Sequence, residues 1–255
     1  MERTNAWKKY QDEDKRKAVY DFAEGYRIFL SENKTERECA AFFVEEAKRA
    51  GFENLDEVIA AGKTLKAGDK VYAMNKKKMV AAFVIGKRPI SEGMRILGAH
   101  IDSPRLDLKQ NPLYEDTDMA LLDTHYYGGV KKYQWVTLPL ALHGVIAKKD
   151  GSVIDVCVGE KEDDPVFGVS DLLIHLSSEQ LDKKASKVIE GEDLNVLVGS
   201  IPLESEDEKE CVKANVLRIL CEQYDIEEED FLSAEIEVVP AGKARDYGFD
   251  RSMIM

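Results

Sequence analysis

The 255-residue sequence predicts an α/β fold interrupted by a β-rich insertion. Three observations carry this expectation. Helical periodicity is confined at first to the opening fifty residues, three short apolar runs follow between Lys70 and His100, and a β-rich middle returns to a late strand, "AEIEVVP", at 234–240. On that pattern 1–111 begins an α/β domain, 112–231 forms the insertion and 232–255 returns to the first domain. A chain of this length with 44% hydrophobic residues can bury such a core.

The elements follow in order. Val19, Phe22, Tyr26, Phe29 and Leu30 recur at helical spacing, so a helix with one face to bury is expected over about 15–31. "TERE" opens a second helix with Thr35 as N-cap and Glu38 completing a capping box. Phe42, Phe43, Ala47 and Ala50 continue its apolar stripe, and Gly51 suits a left-handed stop. "KVYAM" and "MVAAFVIG", separated by "NKKK", predict a hairpin. "MRILGAH" at 94–100 reads as a third strand, and its successive apolar residues place it inside a covered sheet. In the insertion, the Asp150-Gly151 turn joins two β runs into a hairpin. "LNVLVG" adds a strand, and Val212, Val216, Ile219 and Leu220 give a helix over about 207–223 its apolar face.

Composition excludes several functions. No apolar run approaches the roughly 18 residues needed to span a bilayer, and the opening "MERTNAWKKYQDEDKRK" lacks the apolar core of a signal peptide, so a cytoplasmic protein without membrane partners is expected. The net charge of -13 opposes nucleic-acid binding. Much of it is local: residues 201–235 hold twelve acidic against three basic side chains. Without the glycine and alternating ligands of a calcium loop, that stretch reads as a solvated helix flank. Cys39, Cys157, Cys211 and Cys221 form no CxxC pair and read as reduced, mostly buried residues.

The chemistry centres on one of four histidines. His100 and Asp102 stand at i and i+2 where an apolar run ends, a spacing that puts both side chains on one face of an extended chain. An imidazole that donates one N–H to a carboxylate can ligate a divalent ion with its other nitrogen. A His-x-Asp tripeptide alone serves a hydrogen-bonded strand end equally well, and catalytic zinc needs three protein ligands. His125, His143 and Trp135 read as structural or interfacial. The "YGG" at Tyr127–Gly129 fits a turn or a close backbone approach to a ligand. Ser103 has no identifiable base and lies in no G-x-S-x-G elbow, which leaves a serine hydrolase without support.

The longer stretch "GAHIDSPRLDLKQNPLYE", with "HYYGGVKKYQWVTLPLALHGVI", "DLLIHL" and "EIEVVPAGKARDYGFDRSMI", resembles the M18 family of zinc metalloaminopeptidases over essentially the whole chain. The resemblance implies a zinc-peptidase-like α/β sandwich whose insertion is a β-rich dimerisation domain. It implies that His100 is a zinc ligand, that Asp102 orients its ring, and that His175 reaches the active site of a neighbouring subunit. It further implies two zinc ions, peptide substrates with an acidic or neutral N-terminal residue, and a homo-oligomer built from dimers into a dodecamer. Members of the family continue past "FDRSMI" with the bridging aspartate, the paired glutamates, a further carboxylate and a last histidine. The chain is therefore expected to be a truncated, inactive N-terminal portion, or alternatively a non-catalytic assembly module of the same descent.

Overall fold

A computed structural model describes residues 3–204 and 209–255. The first helix, α1 (Glu13–Glu32), is capped by the Asp12 carboxylate on the backbone N–H of Lys15. α2 (Glu36–Arg49) starts with the expected capping box: Thr35 Oγ1 accepts from Glu38 N–H, and Glu38 Oε2 accepts from Thr35 N–H at 3.0 Å. Gly51 ends it with φ +79°. Thr35 is buried, and Thr35→Ala is expected to cost about 1 kcal/mol in urea-unfolding free energy.

β1 (Glu53–Asn54) leads into the short α3 (Leu55–Ala60), and the expected hairpin forms as β2 (Lys70–Asn75) and β3 (Met79–Val84). β1 pairs parallel with β2, giving a three-stranded sheet against which α2 packs Val44 and Ala47 on Tyr72.

One expectation fails here and another holds only in part. Residues 94–100 form no strand, and Leu97 is fully exposed. An apolar run becomes a strand only when another strand pairs with its backbone, and no described residue does so. The apolar face of α1 is only partly covered: Phe29 packs against Phe42 and Phe43 of α2, whereas Phe22 is 82% exposed and Tyr26 50%. The cysteines also differ from expectation, since Cys39 is buried whereas Cys157 and Cys221 are exposed.

The second sheet comprises β4 (Arg105–Asp116), β5 (Met119–Tyr127), β6 (Leu140–Ala147), β7 (Val153–Val158), β8 (Val196–Gly199) and β9 (Ala234–Pro240). The short α4 (Ser178–Leu181) lies between β7 and β8, and α5 (Cys211–Tyr224) between β8 and β9. The portion of the expected helix at 207–208 falls outside the described residues. The sheet order is β7-β6-β9-β4-β5-β8, with every pairing antiparallel. It takes in residues on both sides of 112–231. β10 (Asp246–Tyr247) and β11 (Met253–Ile254) form a small separate ladder.

Strand alternation gives this sheet two unlike faces. Leu106, Leu140, Ile146, Ile236 and Val238 point to one side, where α5 covers the first cluster with Val212 and Phe231 closes the second. Glu115, on β4, accepts from the free N–H groups of Val212 and Lys213 at 2.9 Å each and so caps α5. β6 crosses β9 so closely at Gly144 that an added Cβ would lie 2.0 Å from the Glu235 carbonyl oxygen. An apolar cavity of about 510 Å³ remains between α5 and the sheet.

The other face carries Arg105, Asp107, His143, Glu235 and Glu237, and the start of α2 docks there. Both His143 nitrogens meet carboxylates, Glu38 Oε1 at 2.7 Å and Glu160 Oε1 at 3.0 Å. Burial pulls the imidazole toward neutrality, but the two carboxylates outweigh it and raise its pKa. Lys34 Nζ continues the network to Glu160 and to the carbonyls of Pro240 and Gly242. His143 is thus the structural residue expected, and Trp135 sits in the apolar core.

Candidate metal-ligand site

The site stands where the irregular segment after Met94 enters β4. Asp102 follows His100 by two residues, and Pro104 directs the chain into the strand at Arg105. His100 Nδ1 lies 3.1 Å from Asp102 Oδ1 and 3.0 Å from the Asp102 carbonyl oxygen. Both are acceptors, so Nδ1 carries the hydrogen. Nε2 then keeps its lone pair, and no described residue bonds it. The His100 side chain is 84% exposed, so this nitrogen is open to an incoming ligand.

Asp102 is held from a second direction, since the Tyr127 hydroxyl donates to Oδ2 at 3.0 Å. This bond, with a smaller contribution from His100, holds the Asp102 carboxyl below its ordinary value. The Arg105 guanidinium lies over the Tyr127 ring, 4.1 Å from its centroid. Arg105 is buried and reaches Glu36 Oε1 at 3.0 Å, Asp107 Oδ1 at 2.7 Å and Glu237 Oε2 at 3.3 Å.

The donor set fits one zinc ligand: a neutral imidazole with one free nitrogen and a carboxylate fixing its tautomer. It does not complete a centre. Among the described residues no group of three or more His, Cys, Asp or Glu side chains is placed to hold a metal ion. His175, the third predicted site residue, lies in a 3-10 turn at Ile174–Leu176 and is exposed. Among the described residues no hydrogen bond joins it to His100 or Asp102. The apolar cavity under α5 contains none of the predicted site residues.

The sequence profile described as "Aminopeptidase I zinc metalloprotease (M18)" matches residues 29–255. The chain belongs to the M18 family. It is 64% identical over 251 residues to a probable M18 family aminopeptidase 1 of Clostridium acetobutylicum, covering 98% of this chain and 54% of that protein. A probable M18 family aminopeptidase 1 of Thermotoga maritima is 47% identical over 262 residues, covering 100% of this chain and 54% of that protein. The crystal structure of aminopeptidase I from C. acetobutylicum matches with a TM-score of 0.87 at 64% identity, covering all of this chain and 56% of that one. That of the M18 aminopeptidase from T. maritima matches with a TM-score of 0.90 at 45% identity, covering all of this chain and 54% of that one. This M18 chain thus spans about half the length of the relatives it matches.

The fold they share is the α/β class expected from the sequence, with a curled sheet. Two members of the His100 cluster escaped the sequence reading, the Tyr127 hydroxyl and Arg105. They meet because β4 and β5 pair Arg105 with Tyr127. The two-residue turn that closes the hairpin is Thr117-Asp118, both at positive φ, and it lacks the Asn-Gly or Asp-Gly pair that would have signalled it. The hairpin was further obscured by "KQNP", which breaks the alternation at a bulge between Leu108 and Leu113.

Proposed function

We propose that this chain contributes one zinc ligand and its orienting carboxylate to a zinc-dependent aminopeptidase whose other ligands lie outside these 255 residues. His100 binds through Nε2, Asp102 fixes the Nδ1–H tautomer, and by itself the chain does not turn over peptides. The His100–Asp102 geometry within an M18 sequence carries this reading. Bound zinc, two ions in the complete centre, supplies polarisation of the scissile carbonyl and a water of lowered pKa. The substrates proposed are peptides with an acidic or neutral N-terminal residue, cleaved at their first peptide bond in the cytoplasm. No described helix is long and apolar enough to cross a membrane.

The same proposal assigns 112–231 to dimerisation and His175 to a neighbouring subunit's centre in a homo-oligomer. The segment carrying His175 supports it, since Leu172, Leu173, Ile174 and Leu176 are 54–70% exposed, an apolar strip suited to burial against another copy. The absence of a three-ligand group among the described residues favours a second reading, a non-catalytic assembly module.

Hydrolysis of aminoacyl reporters by the gene product that carries this chain tests the first reading. Chelator is expected to abolish turnover and zinc to restore it, and His100→Ala is expected to reduce it at least 100-fold. Turnover indifferent to chelator, or a His100→Ala variant as active as its parent, would overturn it. For the 255-residue chain alone, metal analysis and light scattering separate the readings: stoichiometric zinc with peptidase turnover eliminates the assembly module.

A further inference from the structure

We infer that Tyr127 is a positioning residue for this centre: from a ring clamped by Arg105, its hydroxyl fixes the Asp102 carboxylate and thereby the tautomer of His100. The inference rests on the reading of His100 as a zinc ligand.

The problem it addresses is mechanical. His100 and Asp102 belong to a segment with no secondary structure, and the Asp102 side chain is 35% exposed. A carboxylate attached to such a segment rotates freely unless both oxygens are engaged. Here Oδ1 faces His100 Nδ1 at 3.1 Å, beside the Asp102 carbonyl oxygen 3.0 Å from the same nitrogen, and Oδ2 accepts from Tyr127 at 3.0 Å. A phenol facing a carboxylate can only donate, so this bond leaves Oδ1 as an acceptor for the imidazole.

Tyr127 itself is firmly placed. It is the last residue of β5, paired in register with Arg105, the first residue of β4. The guanidinium under its ring is buried and anchored by carboxylates from α2, β4 and β9. Gly128 follows with φ +76° and packs on Pro104, where an added Cβ would lie 3.6 Å from Pro104 Cα. The "YGG" turn therefore meets the loop at two points, one the Tyr127–Asp102 hydrogen bond and one an ordinary packing contact of Gly128 on Pro104. A rigid sheet thus sets the orientation of a ligand carried by an irregular segment.

Nitrogen-15 NMR of the metal-free, histidine-labelled chain reads the tautomer directly. The parent is expected to show His100 as the Nδ1–H form. Tyr127→Phe keeps the ring over Arg105 but removes the donor, and the Nε2–H form is expected to appear as a substantial fraction. Asp102→Ala, which leaves Tyr127 in place but removes the side-chain acceptor, is expected to shift His100 in the same direction. The resonances of His143, buried between Glu38 and Glu160, report whether each variant is folded. A Tyr127→Phe or Asp102→Ala spectrum in which His100 stays Nδ1–H overturns the inference and leaves the zinc-ligand reading standing. A parent spectrum in which His100 is the Nε2–H form overturns that reading itself. In the gene product that carries this chain, zinc retention is expected to weaken about tenfold on Tyr127→Phe; unchanged retention counts against the inference.

Discussion

Replacing Arg105 by alanine is expected to lower the unfolding free energy of this chain by about 3 to 5 kcal/mol, the usual cost of stranding buried partners of a deleted charge. Arg105 is 5% exposed and touches carboxylates from three elements: Glu36 on α2, Asp107 on β4 and Glu237 on β9. Glu237 is 3% exposed, and the Glu36 side chain 13%, so neither can turn to water once the guanidinium is gone. The ring of Tyr127 would also lose the cation packed on it. Urea unfolding at pH 9, where Glu237 is ionised, followed by circular dichroism measures the loss. Arg105→Met separates its causes, because methionine restores apolar packing but no charge. A methionine variant as unstable as the alanine one assigns the loss to the stranded carboxylates, whereas recovery of most of the stability assigns it to packing. A loss under about 1 kcal/mol in both variants would show that the carboxylates relax at little cost by taking up protons.

This charged face explains which parts of the fold were legible in the sequence. The capping box of α2 could be read because Thr35 and Glu38 stand three residues apart and interact locally. The same glutamate also holds His143, 105 residues away, and nothing near "TERE" announces that second duty. The hairpins closing at Asp150-Gly151 and at "NKKK" were legible for the same local reason. By contrast, the apolar content of "MRILGAH" predicts a strand, but a strand depends on a partner that local sequence cannot supply. The α1 stripe is covered only where Phe29 meets α2, since spacing produces an amphipathic helix but not the surface that covers all of it.

The site divides along the same line. His100 and Asp102 were visible because their spacing is short, and their contact follows from it. Tyr127 is 25 residues beyond Asp102 and depends on the β4–β5 register. Arg105 was hidden by its own charge, since a lone arginine in "SPRLD" reads as a surface residue until its three carboxylates are seen.

The stability of the chain is expected to fall as pH rises from about 5 to 8, and Glu237→Gln is expected to remove much of that fall. Burial is the largest influence on Glu237 and Glu36 adds like charge, whereas Arg105 and Lys78 oppose them; the carboxyl is pushed up to about 8. Neither Glu237 Oε2 nor Glu36 Oε2 accepts a hydrogen bond among the described residues, although both are buried. A proton on Glu237 removes the charge from one of these unsatisfied carboxyls. A carboxyl raised in the folded state keeps its proton there after the unfolded chain has released its own near 4.5. The folded state then binds more protons between the two values, so stability is full below the lower one and is lost as pH rises toward the higher. Glutamine keeps the shape without the charge. The variant should match its parent near pH 5 and exceed it by roughly 2 to 4 kcal/mol near pH 9, the order this linkage allows for a buried carboxyl raised to about 8. His143, whose pKa is also raised, loses its own contribution as pH climbs through and above the ordinary histidine range, but it is present in both proteins and cancels in the difference. Urea unfolding of parent and variant at pH 5, 7 and 9 gives that difference directly. A value that stays constant with pH would mean that Glu237 is ionised throughout, and that Arg105 and Lys78 together outweigh its burial.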